Sequence, residues 1–386
     1  MYLPLFALLL GAFCIGTTEL VVAGILPAIA ADLGVSIPRA GMLVTGYAVA
    51  VAIGGPLMMA VAGRWSRKRG IIGVTLIFML GHLVCGFAPS FAMLMAGRVI
   101  AAAAHGCFFG FAIVLATAGV PANRRATALS IVVGGVNVAN VIGVPLGTAV
   151  GNAFGWRATF FMIAGCALVA ALAIALLVHD TSAARTGRPL GQQIRALMNR
   201  TVLTAYGIIV LQMTAVFALL TFIAPYMQQV AGIGPDGLPA VLLASGIAGT
   251  VGVFAGGALV DRAPTVALVV SSAAAVATMA AVWLGTPASA TVGVAAFAAA
   301  SVAGNVATLA AQHRILIGSV RAPELASTLM STVFNTGIAA GAGLGAWLIA
   351  GGTPYQALPL FGVMCLSGAT LLALTTLFDD PRRGAP

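Results

Sequence analysis

The chain has 386 residues, 61% of them hydrophobic and 7% charged, with a formal net charge of +10. A soluble domain carries about 25% charged residues, and a soluble fold of this length could not hide so much apolar side chain, so the solvent must be lipid. Nucleic-acid binding is excluded as well, because the basic residues lie in the breaks between apolar runs and follow the logic of membrane topology, described below.

A spanning helix needs about 20 mostly apolar residues. Twelve such runs follow one another, near 4–30, 41–62, 71–88, 91–117, 127–150, 158–178, 202–230, 238–260, 265–285, 289–312, 324–350 and 355–378. An even number of spans puts both ends on one side. With that side taken as cytoplasm, its loops and tail hold Arg64, Arg67, Lys68, Arg69, Arg124, Arg125, Arg185, Arg188, Arg195, Arg200, Arg262, Arg314, Arg321, Arg382 and Arg383. The opposite side holds Arg39 and Arg157. This bias sets the expected orientation, both termini cytoplasmic in a bacterial inner membrane.

In the first run, Leu3 to Ala31, the single charged side chain is Glu19. A carboxyl group at bilayer depth costs about 2.5–3.5 kcal/mol on insertion scales, and groups held at that cost usually line a substrate or proton path. Ala28-Ile29-Ala30 resembles a signal-peptide cleavage site. No Lys or Arg precedes it, however, and the run is longer than an h-region, so it is expected to remain as a span. The second run ends in the basic loop Val61-Ala-Gly-Arg-Trp-Ser-Arg-Lys-Arg-Gly70. The third carries a lone His82, assigned to packing. The fourth reads Gly97-Arg98-Val-Ile-Ala-Ala-Ala-Ala-His105-Gly106-Cys-Phe-Phe-Gly110. At 1.5 Å rise per residue, Glu19 lies roughly 18 Å below the outer end of its span, Arg98 roughly 10 Å and His105 roughly 21 Å below theirs. Either cation is then within reach of Glu19 if the two helices adjoin. The fifth run ends Gly134-Gly135-Val-Asn137-Val-Ala-Asn140-Val-Ile-Gly143-Val-Pro145-Leu-Gly147, and Trp156-Arg157-Ala-Thr-Phe160 opens the sixth.

The longest polar stretch, from about His179 to Arg200, separates two sets of six spans. Leu190, Ile194, Leu197 and Met198 there have the spacing of a short helix on the membrane surface, or belong to a solvated linker. The halves repeat at an offset of 198 residues: Pro27 falls on Pro225, Arg64 on Arg262, Asn137 on Asn335, and Gly54, Gly143 and Gly147 on Gly252, Gly341 and Gly345. Glu19 falls on Phe217, so the acid is not repeated. Parallel repeats of this kind describe a transporter whose two bundles rock about a midplane site. The expected fold is therefore an all-α integral membrane protein, twelve transmembrane helices in two pseudo-symmetric six-helix bundles. Its expected domains are residues 1–180, a linker 181–200, residues 201–379 and a tail 380–386. The five cysteines lie inside spans with no CxxC pair, as packing residues, and no metal or cofactor site is expected.

The loop after span two resembles the signature Gly-x-Leu-x-Asp-Arg-x-Gly-Arg-Arg/Lys of the major facilitator superfamily. Arg64, Arg67 and Lys68 match its basic positions, while Gly63 stands where the family has Asp. The second-half counterpart, Gly257-Ala-Leu-Val-Asp261-Arg262, keeps the Gly-x-Leu-x-Asp-Arg core. The Arg98 and Gly106 pattern of span four, the Gly/Pro-rich end of span five and the opening of span six are similar to the drug:proton antiporter branch. The nearest likeness is to arabinose-efflux-permease and chloramphenicol-exporter proteins, which also show an acid after a Gly in span one and His-Gly in span four. The resemblance covers essentially the whole chain. It implies a cytoplasmic gate at Arg64, Arg67, Lys68, Asp261 and Arg262, and a central cavity lined by spans one and four.

The resemblance and the residues together imply export of small amphiphilic compounds, drugs and antibiotics among them, in exchange for protons. The proton gradient supplies the energy and the chain acts as a monomer in the bilayer. Glu19 would bind either a proton or a substrate group, with Arg98 and His105 as partners. Phe13, Asn137, Asn140, Phe217, Tyr226, Asn305 and Asn335 are assigned to an apolar substrate cavity with a few amides. The alternatives are a sugar or metabolite exporter, whose pocket needs more hydrogen-bonding side chains, and a passive uniporter. A membrane enzyme is disfavoured, since there is no His-Glu-x-x-His, phosphate-binding loop or Ser/His/Asp set. A channel is disfavoured because no polar ring is evident.

Overall fold

The computed structural model describes every residue except 1, 63–64, 119, 122–123, 181–191, 193–194, 196, 320–322 and 379–386. Among the described residues, twelve helical segments are long and apolar enough to cross a membrane. Large apolar side chains stand free on their outer faces: Phe154 and Leu176 are each 80% exposed and Phe254 75%. Such surfaces suit lipid, and helices suit it too, because every backbone polar group is bonded within its own segment. The chain is a multi-pass membrane protein.

In the first half, α1 spans Tyr2–Asp32, α2 Ile37–Ala62, α3 Arg67–Gly86 and α4 Phe91–Ala118. The fifth span is composite: α5, Arg125–Val138, passes through a π-helical turn at Ala139–Gly143 into α6, Val144–Phe154. Pro145 explains the turn. It has no N–H to donate and its ring crowds the carbonyl four residues back, so the ladder widens before it. Gly155, at φ +87°, reverses the chain into α7, Trp156–Leu177, a conformation glycine adopts at no steric cost.

The second half holds α8, Arg200–Leu220, a short α9, Ile223–Gln229, and then α10, Leu238–Arg262, α11, Pro264–Gly285, α12, Ala290–Gly318, α13, Pro323–Ala350, and α14, Leu358–Thr375. Asn199 caps α8 by accepting from Val202 N–H at 3.0 Å. The expected seventh span, 202–230, is not one helix. It breaks at Thr221 and Phe222, where Pro225 frees the carbonyl of Thr221. Pro27, its repeat partner, sits inside a continuous α1.

Contacts divide the chain into two compact units, Met1–Arg185 with Gly234–Leu243, and Thr186–Ile233 with Ala244–Pro386. In the first, α1 packs on α5, α6 and α7 and touches α2 and α4, while α4 packs on α2 and α3. In the second, α8 packs on α13 and α14, and α11 on α12 and α14. The duplication is visible in detail. Gly54 of α2 lies against Ala103 of α4, and Gly252 of α10 lies against Val302 of α12.

Gly106 shows how close these crossings are. A Cβ added there would stand 2.5 Å from Gly55 Cα and 2.9 Å from the Val51 carbonyl oxygen. Both neighbours are backbone and cannot yield by rotating a side chain. Gly106→Val is expected to destabilise the first unit by about 1–3 kcal/mol. A lower thermal midpoint and lower yield of monodisperse protein would report it, and an unchanged midpoint would contradict this packing.

At the far end of α1, Asp32 joins three elements. Its Oδ2 accepts from Arg157 Nη1 at 2.6 Å and from Trp156 Nε1 at 3.1 Å, while Arg157 Nη2 donates to the Ala88 carbonyl at 2.9 Å. The pair is 36% and 46% exposed, so it aligns helix ends more than it stabilises them. The helix expected near residues 190–198 lies mostly outside the described residues.

Candidate functional site

The first unit buries a connected set of polar side chains on four helices. Arg98 of α4 is fully buried. Its Nη1 donates to the Thr18 carbonyl at 3.0 Å and to Thr18 Oγ1 at 2.8 Å. Its guanidinium carbon lies 3.8 Å from the centroid of the Tyr47 ring on α2, a close cation–π contact. Arg98 Nε and Nη2 have no hydrogen-bond partner among the described residues.

Tyr47 extends the set along α4. Its hydroxyl lies 3.1 Å from His105 Nδ1, so one phenol touches Arg98 with its face and His105 with its oxygen. Arg98 and His105 are seven residues apart, about 10 Å of helix, and Tyr47 spans that gap. On the other side, His82 of α3 places Nε2 2.7 Å from Thr18 Oγ1 and Nδ1 2.8 Å from the Phe78 carbonyl. A network thus runs from His82 through Thr18, Arg98 and Tyr47 to His105.

Glu19 follows Thr18 in α1. It is half-buried, near enough to Arg98 for their charges to interact, yet no hydrogen bond or ion pair holds it among the described residues. Arg98 is tied to the residue before the acid, and His105 to Tyr47. A buried guanidinium with two unbonded nitrogen groups beside a carboxyl that keeps some access can hold an anion or release it, and the acid can take a proton or a cation.

The remaining residues divide between the units. Phe13 is half-buried on α1, its ring against Gly143 of the π turn. Asn137 and Asn140 are half-buried on α5 and the π turn, and Asn140 Oδ1 is buried without a partner among the described residues. π turns recur at functional sites. In the second unit, Phe217 is 6% exposed and Tyr226 fully buried. The Tyr226 hydroxyl donates to the Val282 carbonyl at 3.2 Å, which ties that side chain into helix packing. Asn305 is exposed and donates to the Ser301 carbonyl at 2.8 Å. Asn335 is buried, donating to the Ser331 carbonyl at 3.0 Å, with Oδ1 unbonded among the described residues. Its repeat mate Asn137 is half-buried.

Of the gate residues, Arg64 lies outside the described residues. Arg67 and Lys68 open α3 behind the cap Ser66, and Lys68 N–H donates to Asp180 Oδ1 at 3.3 Å. Asp261 and Arg262 are exposed at the end of α10. Sequence reasoning missed Thr18 and Tyr47 and set His82 aside. The available signal was a polar Thr17-Thr18-Glu19 run together with a lone Tyr and two lone His in apolar spans.

Comparison with known proteins agrees with this architecture. The model of the Major Facilitator Superfamily matches residues 8–323. The chain is similar to the inner membrane transport protein YdhP of Escherichia coli K12, at 34% identity over 98% of the chain and 97% of the relative. It is 38% identical to a chloramphenicol resistance protein of Streptomyces lividans over 70% of each chain. Among solved structures, a bacterial homolog to the human lysosomal transporter Spinster, inward-facing and unoccupied, matches at TM-score 0.77 with 18% identity, covering 98% of both chains. That likeness carries the fold alone. From the twelve spans, the duplicated units and the family match across most of its length, the chain belongs to the Major Facilitator Superfamily and is a transporter, not an enzyme.

Proposed function

We propose that the chain exports small amphiphilic compounds across a bacterial inner membrane in exchange for protons, by alternating access. One observation carries the reading: the half-buried acid Glu19, unbonded among the described residues, beside the fully buried Arg98, which is incompletely bonded among them. A charge buried at that cost needs a compensating one, and Glu19 supplies it only when ionised. Proton and substrate then compete for one carboxyl. Opening the site to one side or the other changes its water access, and competition links the two opposite movements. The contact between His105 Nδ1 and the Tyr47 hydroxyl supports a share for His105 in this.

The names of two relatives support the direction and the substrate class. One is a chloramphenicol resistance protein and another an inner membrane transport protein. The apolar helices, with a few amides at Asn137, Asn140, Asn305 and Asn335, suit an amphiphile better than a sugar. Phe13 and Phe217 supply aromatic surface. Both termini lie in the cytoplasm by the distribution of Lys and Arg, and the gradient serves in place of a bound cofactor.

Cells expressing the chain are expected to tolerate higher concentrations of chloramphenicol-like or lipophilic cationic compounds, and an uncoupler should remove the difference. No shift for any such compound would contradict drug export. A shift that survives the uncoupler would contradict proton exchange.

A further inference from the structure

Thr18 behaves unlike its neighbours. In membrane helices a threonine hydroxyl usually donates to the carbonyl one turn back. Thr17, Thr75, Thr148 and Thr214 do so here, to Phe13, Ile71, Val144 and Val210 at 2.7–2.9 Å. The partners of Thr18 Oγ1 are instead His82 on α3 and Arg98 on α4.

The direction of each bond follows from the chemistry of its ends. The Phe78 carbonyl can only accept, so His82 Nδ1 carries a hydrogen. In the neutral ring Nε2 is then an acceptor, and the Thr18 hydroxyl must be its donor. Thr18 has one hydrogen, and it is spent on His82. Its lone pairs face Arg98 Nη1, which brings hydrogen and no acceptor. The assignment is consistent at every atom. His82 is itself fixed, fully buried, with its ring centroid 4.3 Å from that of Phe78 and 6.1 Å from that of Phe160, tilted against both. Besides Glu19, the ionisable groups facing Arg98 are Tyr47 on α2, His82 and Cys85 on α3 and His105 on α4.

We propose that His82, acting through Thr18, is a positioning residue that holds Arg98 off Glu19 and so keeps the Glu19 carboxyl free to exchange its proton. The inference rests on the reading of Glu19 as the proton site. Without the His82 acceptor, the Thr18 hydroxyl turns to the carbonyl one turn back in its own helix, as those of Thr17, Thr75, Thr148 and Thr214 do. Arg98 loses an anchor, and its free nitrogens close on the neighbouring carboxylate. A locked ion pair neither takes up a proton nor binds a substrate cation.

The test is the rate at which dicyclohexylcarbodiimide, which reacts with protonated carboxyl groups in apolar surroundings, modifies Glu19. Full-length protein in detergent is treated at one fixed pH, and the Glu19 peptide is read by mass spectrometry. In His82→Leu and in Thr18→Val, modification is expected to slow about fivefold, the population shift that one ordinary hydrogen bond sustains. In His82→Gln, which keeps an acceptor, and Thr18→Ser, which keeps the hydroxyl, it should stay within about twofold of wild type. A role in packing alone would not separate these pairs. Thr18→Val is isosteric and provides the test should His82→Leu fail to fold. Wild-type modification rates in Thr18→Val would overturn the positioning role and leave Glu19 as the proton site. No modification of Glu19 in the wild-type protein would overturn both.

Discussion

Glu19→Gln is expected to abolish gradient-driven export while the protein remains folded in the membrane. Glutamine has the shape of glutamate and leaves no hydrogen bond broken, since the carboxyl has none among the described residues. It relieves the burial cost of an acid at this depth and removes a countercharge of the buried Arg98, two effects that oppose each other, so the protein should stay folded. What it cannot do is change its charge. Substrate and proton no longer compete for one group, and the link between their movements is lost. In inverted vesicles the uncoupler-sensitive part of transport should fall to that of vesicles lacking the protein, at equal membrane content. Equilibration of substrate down its own gradient should persist. Wild-type gradient-driven transport by the glutamine variant would contradict the role of Glu19.

Arg98→Lys is the second large effect, because charge is conserved and geometry is not. The guanidinium lies on the Tyr47 ring at 3.8 Å while one nitrogen serves both Thr18 acceptors. An ammonium is a compact point charge without a planar face, and it holds its water more strongly. Loss of the stacked and bonded arrangement in a buried site is expected to cost about 1–3 kcal/mol, seen as a lower thermal midpoint. Transport should fall roughly tenfold or more if the same free energy holds the competent state. A lysine variant with wild-type stability and rate would mean that charge alone matters at this position.

The architecture was legible in the sequence because each of its signals is local or periodic. Hydropathy gives the spans, and the offset of 198 residues gives the duplication. Both survive in the structure, down to the paired glycines Gly54 and Gly252 at equivalent crossings. Two breaks were not read, the π turn at Ala139–Gly143 and the interruption at Thr221 and Phe222. Both are consequences of a proline, Pro145 and Pro225, and both depend on how neighbouring helices absorb the freed carbonyl.

Of the candidate site, Glu19, Arg98 and His105 were legible in the sequence. Glu19 and Arg98 stand out against apolar surroundings wherever they pack. Thr18, Tyr47 and His82 do not, since a single hydroxyl, phenol or imidazole in a span is ordinarily a packing residue. Their roles arise from the rotation of α1, α2 and α3 around α4, which no periodicity specifies. Tyr226, assigned to the cavity by type and position, is fully buried, with its hydroxyl donating to the Val282 carbonyl.

The most direct measurement is proton movement in proteoliposomes holding the purified protein and an internal pH indicator. Chloramphenicol, or a compound found in the resistance screen, is added to one side. Proton exchange predicts that protons leave as substrate enters, so the internal pH rises in the wild-type protein and does not change with Glu19→Gln. Substrate entry without a pH change in the wild type, or the same pH change in the glutamine variant, would contradict coupling at Glu19.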